Sequence, residues 1–319
     1  MSIVDEANRL ADSGGAQAAL DLLARAVGAG DPEAMVELAE WRLYGLHGPR
    51  DLAAAHALLK NAGERGHTGA IRLRATLIVN GTGCRSDVEH GIRLLKRIRN
   101  AEPSAAVQLA LTEKMAPDWK AAKLAVETLS AAPLVFSVPG LFGHEECRYV
   151  MAAAAPRLEP SYVIDVASGR RIPHPVRTSH GTSFGPAEED LVVHRLNRRI
   201  ARITNTKVGW GEPLHILSYA PGQEYRPHVD ALPGVANQRH WTVLVYLNED
   251  YSGGETCFDR PGIVYKGRTG DALVFRNVDA DGRSDPATRH AGRPVTSGGK
   301  WLATRWIRQA PYHPWAKAG

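Results

Sequence analysis

The segment Tyr225-Arg226-Pro227-His228-Val229-Asp230 sets an imidazole and a carboxylate two positions apart. Side chains on an extended strand alternate with a period of two, so His228 and Asp230 project from one face and Val229 from the other. An imidazole nitrogen beside a carboxylate oxygen is a chelate for a divalent metal. Two ligands do not complete a site, and the chain offers two candidates for a third. His240 lies ten residues beyond Asp230, in NQRHWTVL. His290 opens a later run, HAGRPVTSGGKWLATRW, which carries Lys300 ten residues further on.

Two histidines and one carboxylate occupy one face of an octahedral metal and leave the other positions open, the arrangement of non-haem Fe(II) oxygenases. Lys300, flanked by Trp301 and close in sequence to Trp306, is placed to be a partly desolvated cation that holds a carboxylate. The surrounding texture predicts what positions these groups. PLHILSYAPG, HWTVLVYLNED, GIVYKGRTGDALVFRNV and KWLATRWIRQ are short apolar runs rich in β-branched and aromatic residues, broken by APG, SGG and TGD. Two helical patches precede them, GHEECRYVMAAAAPRL and EEDLVVHRLNRRIARIT, the second with Leu191, Val192, Leu196, Ile200 and Ile203 near helical spacing. Helices followed by many short strands predict a sandwich or jelly roll with helices packed on one sheet, and such a fold has a mouth between its sheets.

The first part of the chain reads differently. Up to about residue 115 it is rich in Ala and Leu, and it repeats itself at a shift of 36 positions. Ala34 falls on Ala70 and Ala106, Ala39 on Ala75, Gly30 on Gly66, Gly45 on Gly81 and Asp51 on Asp87; Leu22, Leu58 and Leu94 align, as do Leu23, Leu59 and Leu95. Small residues recur where stacked helices touch and Gly recurs where they end, so this register predicts an α-helical repeat solenoid. Residues 15 to 115 resemble tetratricopeptide-like repeats of the SEL-one-like kind, in DPEAMVELAEWRLYG and RDLAAAHALLKNAGERG and their echo. The resemblance implies a protein-binding or packing module; a lid or dimerisation surface for the second domain is the other reading. The expected organisation is α+β in two domains: helical repeats over 1–115, a linker helix over 116–132, and a β-rich domain over 133–319.

Composition narrows the class further. A chain of 319 residues with 44% hydrophobic and 23% charged residues is an ordinary globular protein, long enough for two cores. No run approaches the roughly 20 apolar residues of a membrane helix. Asp5 and Glu6 stand where a secretory signal carries a basic region. Cys84, Cys147 and Cys257 are odd in number and widely spaced, which fits reduced thiols, and the chain is read as cytoplasmic. The net charge of +5 is mild, and its dispersal gives no indication of nucleic-acid binding.

From about residue 133 to 310 the chain resembles the catalytic domain of the prolyl 4-hydroxylase family of Fe(II) and 2-oxoglutarate dependent dioxygenases. The resemblance is carried, in order, by YAPGQEYRPHVD, TVLVYLNEDYSGGETCF, GDALVF and HAGRPVTSGGKW. It implies a double-stranded β-helix, a jelly-roll variant. It implies that His228, Asp230 and His290 are the iron ligands, and that Lys300 pairs with the C5 carboxylate of 2-oxoglutarate. Tyr219 and Thr256 match positions that hydrogen-bond the same carboxylate, with Tyr225 the alternative ring near the metal. The co-substrates implied are 2-oxoglutarate and O2, with ascorbate as a reductant; the products are succinate, CO2 and a hydroxylated C–H position. Related halogenases replace the carboxylate ligand with a small residue, so an intact Asp230 favours hydroxylation. A lysine at position 300, where the nucleic-acid demethylase branch would use an arginine at another spacing, favours the prolyl hydroxylase branch.

HPVRTSHGTSF resembles the segment that lies at the cavity rim in this family, which makes Arg177 and Ser179 candidates for substrate contact together with Tyr225 and Trp306. The preceding DVASGRRIPHPVR has the composition of a closing loop, and its Arg170, Arg171 and His174 are equally able to attract an anion. The expected substrate is a prolyl residue of a peptide or protein that the helical repeats help to present. Hydroxylation of a free amino acid or other small metabolite is the alternative, and a repeat-based interaction protein with an inactive oxygenase domain is the third reading.

Overall fold

A computed structural model of the chain describes residues 1–115, 125–164, 171–173 and 176–315. Two compact units result. One consists of Met1–Met115 with Pro186–His194, the other of Ala116–Gly185 with Arg195–Gly319.

The first unit is α-helical: α1 (Ile3–Asp12), α2 (Ala16–Gly28), α3 (Pro32–Tyr44), α4 (Leu52–Glu64), α5 (Thr68–Asn80), α6 (Val88–Ile98) and α7 (Pro103–Lys114). The 36-residue echo in sequence corresponds to equivalent structural positions. Asp31 and His67 cap α3 and α5 by accepting backbone N–H groups of the first turn. Asp51 and Asp87 do the same for α4 and α6. Gly45 and Gly81 end α3 and α5 in the left-handed conformation at φ 70° and 80°, which a residue without a Cβ adopts at least cost. Ala34, Ala70, Ala39 and Ala75 are buried, as are Leu59 and Leu95. The unit also takes in a segment that the sequence reading assigned wholly to the second domain. Asn80 Nδ2 donates to the carbonyls of Pro186 and Glu189, and Leu191 packs with Ile71, Leu94 and Leu95. The apolar face that α5 and α6 leave open needs this extra cover.

The second unit contains β1 (Glu127–Ala131), β2 (Leu134–Val138), α8 (His144–Ala154), β3 (Glu159–Pro160), β4 (Tyr162–Ile164), β5 (Arg171–Pro173), β6 (His180–Phe184), α9 (Leu191–Ile203, whose first turn belongs with the helical unit) and β7 (Leu214–Tyr219). There follow β8 (Tyr225–His228), β9 (Arg239–Tyr246), β10 (Tyr251–Gly253), β11 (Thr256–Phe258), β12 (Val264–Tyr265), β13 (Ala272–Arg276), β14 (His290–Gly292), β15 (Val295–Gly298) and β16 (Lys300–Arg308). An eight-stranded antiparallel sheet has the order β1-β2-β13-β9-β16-β7-β6-β3, and a four-stranded one the order β12-β11-β14-β8. Leu217, Leu244, Phe275 and Leu302 of the large sheet share one apolar core with Phe258 of the small one. The result is α+β, with a jelly-roll-like pair of sheets. On the helical side, the buried Arg199 of α9 forks onto Glu146 of α8 at 2.7 and 3.0 Å, which ties the two supporting helices together.

Two expectations need correction. The linker helix over 116–132 fails in its second half, because Glu127–Ala131 is an edge strand paired with β2. Alanine-rich composition suggested a helix, but Thr128 and Ser130 face Phe136 and Val135 across a hairpin turned at Ala132-Pro133, and pairing overrides propensity there. Residues 116–124 of that stretch lie outside the described residues. Likewise, the stretch read as a closing loop, residues 165–177, contains the strand β5, which pairs antiparallel with β4 just before it. Arg171 begins β5, whereas Arg170 and His174 lie outside the described residues. Among the described residues no helix is long and apolar enough to cross a membrane.

Candidate active site

Antiparallel pairing of β8 with β14 sets His228 directly opposite His290, with ring centroids 4.3 Å apart. Asp230 lies just past the end of β8 rather than on it, yet its carboxylate turns to the same side. His228 Nε2 is 3.5 Å from Asp230 Oδ1, and His290 Nε2 is 3.9 Å from Oδ2. Val229 faces the other way and is exposed. One potential ligand atom from each of the three falls within 4.8 Å of the others, the one such group of three found among the described residues. His240 is not part of it: the imidazole lies near Trp241 on β9, and burial together with Arg276 holds its pKa down.

What surrounds these groups prepares them for a metal. His228 Nδ1 sits 2.9 Å from the carbonyl of Arg226, and His290 Nδ1 sits 2.9 Å from that of Thr288. A carbonyl only accepts, so each neutral ring carries its proton on Nδ1 and presents the Nε2 lone pair to its neighbours. Asp230 Oδ2 accepts from Thr242 Oγ1 at 2.6 Å, and Thr242 Oγ1 accepts in turn from Asn277 Nδ2 at 2.8 Å. Burial pushes the Asp230 pKa up, but the hydrogen bond and positive charge that the facing His228 and His290 rings offer when protonated, together with the Arg239 guanidinium, outweigh it and hold the carboxyl well below the usual range. Burial draws His290 down to about 4, so the ring is neutral and its lone pair available at neutral pH. Two imidazole Nε2 atoms and an ionised carboxylate form a donor set that fits a ferrous ion.

The same cavity, about 400 Å³ counted to its mouth, contains Lys300 on its wall. Cross-strand pairing of β16 with β7 sets Lys300 opposite Tyr219. The ammonium is 3% exposed, donates to the carbonyl of Gly254 at 2.7 Å, and lies 5.5 and 5.4 Å from the rings of Tyr219 and Tyr246. Among the described residues no carboxylate pairs with it. Burial lowers its pKa to about 8. The negative charge of Glu255 offsets the burial only in part; a buried cation with no carboxylate in contact is costly, and an anion that enters the cavity relieves the cost. Thr256 Oγ1 shares a hydrogen bond of 2.7 Å with the Tyr246 hydroxyl, and both Thr256 and Tyr219 line the cavity. These residues fit a carboxylate ligand as the triad fits a metal.

Sequence-level candidates at the rim separate into two kinds. Tyr225 stacks on His228 at 3.5 Å between centroids, and the Arg177 guanidinium lies 5.4 Å from the Tyr225 ring, so both reach the metal side. Ser179 is buried, with its hydroxyl 3.0 Å from that of Ser161 and hydrogen-bonded to Tyr219, and it supports the wall from behind. Trp306 lines the cavity under the Arg239 guanidinium, which lies 3.8 Å from its ring centroid and forks onto Glu212 at 2.7 and 2.9 Å. Thr242, Asn277, Arg239, Glu212 and Tyr246 hydrogen-bond or stack against groups of the candidate site, and sequence reasoning missed them. The available signal was a polar side chain at an inward position of an apolar strand. In TVLVY, period two places Thr242 and Tyr246 on the same face as Leu244.

Sequence comparison with known proteins identifies the family. A family model for the 2OG-Fe(II) oxygenase superfamily matches residues 214–308. Prolyl 4-hydroxylase 1 of Arabidopsis thaliana is 36% identical over 202 residues, which span 57% of this chain and 71% of that protein. The probable prolyl 4-hydroxylase 3 of the same plant is 34% identical over 210 residues, 58% of this chain and 73% of that one. Among solved structures, the viral collagen prolyl hydroxylase of Paramecium Bursaria Chlorella virus-1, in its 2OG complex, aligns with a TM-score of 0.45 and 27% identity over 55% of this chain and 96% of that one. Sequence identity above one third across more than two thirds of a relative's length, with a family-model match that takes in His228, Asp230, His290 and Lys300, means that this chain belongs to the prolyl 4-hydroxylase family of 2OG-Fe(II) oxygenases.

Proposed function

We propose that the protein hydroxylates a prolyl residue of a peptide or protein, with Fe(II) held by His228, Asp230 and His290 and with 2-oxoglutarate anchored by Lys300. The observation that carries this reading is the buried, unpaired ammonium of Lys300 in the same cavity as the metal-capable group. Ferrous iron with 2-oxoglutarate and O2 supplies the oxidising chemistry: the co-substrate leaves as succinate and CO2, and a C–H bond of the substrate gains a hydroxyl. The chain's own residues aim that chemistry. His228 and His290 offer Nε2, their orientation fixed through Nδ1 by backbone carbonyls. Lys300 meets the far carboxylate of 2-oxoglutarate, and the Tyr219 and Thr256 hydroxyls are available to it. Tyr225, Arg177 and Trp306 line the way in for the substrate, while Leu217, Leu244 and Leu302 keep the interior apolar.

The recurrence of caps and glycines at 36 residues supports a repeat solenoid of the SEL-one-like kind as the element that holds the protein substrate. The three free thiols support a reducing, cytoplasmic setting. The first test is anaerobic titration with Fe(II) and 2-oxoglutarate, monitored by the visible charge-transfer band of the bidentate complex and repeated with His228→Ala. Appearance of the band in the native protein alone, followed by succinate release that depends on a proline-containing peptide, upholds the reading. Turnover of a free amino acid with none on peptides overturns the peptidyl substrate, and absence of the band in folded protein overturns the oxygenase site.

A further inference from the structure

The helical unit has a groove of its own, far in sequence from the oxygenase residues. It is built by three successive helices: Leu59, Lys60, Gly63 and Glu64 on α4, Ile71 and Arg74 on α5, and His90, Leu94 and Arg97 on α6. It encloses about 590 Å³ counted to its mouth. The apolar part of its lining, Leu59, Ile71 and Leu94, is buried. The charged part is cationic in excess. Lys60 already pairs with Glu64 at 3.8 Å, but among the described residues neither Arg74 nor Arg97 has a carboxylate partner. Arg74 Nε is buried without a hydrogen-bond acceptor. A guanidinium N–H left unsatisfied inside a groove is a cost that a bound acceptor removes.

Charge along the unit is strongly polarised. Residues 1–59 contain nine Asp or Glu against four Lys or Arg, whereas residues 60–99, which supply all but one of the groove's lining residues, contain nine Lys or Arg against three Asp or Glu. The opening therefore sits in a positive field with a negative flank beside it in sequence. A long polyanion such as RNA gains from the first and is repelled by the second and by Glu64, and it offers nothing to Leu59, Ile71 and Leu94. A short polypeptide stretch that mixes carboxylates with aliphatic side chains satisfies both kinds of lining. The arginine forks suit carboxylates, and the buried leucines and isoleucine suit side chains of their own type.

We propose that this groove is a docking site for an acidic, aliphatic-rich segment of a polypeptide, bound through Arg74 and Arg97 and seated on Leu59, Ile71 and Leu94. The inference rests on the proposed role of the helical unit in holding a protein substrate, and it names the feature by which that substrate is recognised. Docking there raises the local concentration of the substrate without entering the chemistry.

The test uses the full chain and fluorescence anisotropy with three labelled probes: a short peptide of mixed Glu and Leu, its counterpart with Gln for Glu, and an oligouridylate of similar length. The Glu peptide is expected to bind at least about tenfold more tightly than the Gln peptide, and to weaken as salt rises. Arg74→Gln with Arg97→Glu is expected to weaken it about tenfold, with unchanged far-UV circular dichroism. Arg97→Glu alone, at an exposed position, gives a smaller loss in the same direction and guards against a folding defect in the pair. Equal affinity for the Glu and Gln peptides, indifference to the arginine changes, or tighter binding of the oligouridylate overturns the proposal. The arginine variant should turn over a short neutral proline peptide as the native chain does, while His228→Ala should bind the Glu peptide normally and turn over nothing. Arginine-dependent peptide binding in a chain without any hydroxylase activity would uphold the groove and overturn only the activity.

Discussion

The two ends of the oxygenase cavity solve opposite electrostatic problems. At the metal end the orienting atoms already have protein partners: Asp230 Oδ2 has Thr242, and Nδ1 of each imidazole has a backbone carbonyl. At the other end Lys300 has a single carbonyl and two aromatic rings for company. The metal end is therefore organised before anything binds, whereas the anchor end stores a charge that Glu255 offsets only in part and that no carboxylate contacts among the described residues. Changes at the first end should damage iron binding and leave the apo protein no better off. Changes at the second should damage co-substrate binding and relieve the apo protein.

The largest expected effect breaks the metal end. Asp230→Ala removes the anionic ligand, and Fe(II) affinity should fall by more than about a hundredfold, the upper limit seen when only supporting groups are lost; anaerobic titration of the charge-transfer band measures it. A variant that retains iron affinity would remove Asp230 from the ligand set. At the anchor end Lys300→Met should weaken 2-oxoglutarate by about a hundredfold, the scale for truncating a buried charge pair, while iron affinity stays within about twofold of native. The same substitution should raise the thermal stability of the apo protein by about 1–3 kcal/mol. Loss of apo stability instead would mean that the ammonium is better compensated than its surroundings indicate.

The pH dependence sharpens the contrast. In its proposed role Lys300 must be charged to hold the co-substrate, and its pKa is lowered to about 8 by burial, so 2-oxoglutarate affinity should fall as pH rises through about 8. Over the same range the unfolded chain, whose lysine titrates near its ordinary value of 10.5, binds more protons than the folded one. Lys300's contribution to apo stability should therefore rise between about pH 8 and 10.5. Opposite slopes for affinity and apo stability, both flattened in Lys300→Met, distinguish this lysine from the others in the chain. Parallel slopes would contradict the assignment.

How much of this was legible in sequence depended on whether the partners were local. His228 and Asp230 are two residues apart, and the turn after β8 keeps them on one side, so a strand-like reading found them even though Asp230 lies off the strand. The caps at Asp51 and Asp87 and the left-handed glycines at 45 and 81 were visible as a period, because each acts within its own turn. The groups that fix the site were not. Thr242, Asn277 and Asp230 come from three separate stretches of chain, and only the sheet pairing and the turns around it bring them together. The edge strand Glu127–Ala131 was missed for a related reason, since its Ala-rich surroundings favour a helix until β2 supplies the ladder. Segment 186–194 was assigned by chain order, while its contacts with Asn80 and Ile71 are long-range.

The smallest effects test whether the groups behind each end serve that end alone. Thr242→Val keeps the shape of the side chain but removes the donor to Asp230 Oδ2 and the acceptor for Asn277 Nδ2. Its Fe(II) affinity should fall about tenfold, as for other supporting groups, with 2-oxoglutarate affinity measured at saturating iron little changed. Thr242→Ser, which keeps the hydroxyl, should restore most of the loss. The counterpart is Tyr246→Phe, which takes the hydroxyl partner from Thr256 Oγ1. One neutral hydrogen bond to a supporting group is worth about 1 kcal/mol, so 2-oxoglutarate should weaken by about fivefold with iron affinity unchanged. If each variant instead weakened both ligands alike, the two ends would be mechanically one site, and the difference between a satisfied and an unsatisfied end would lie in charge alone.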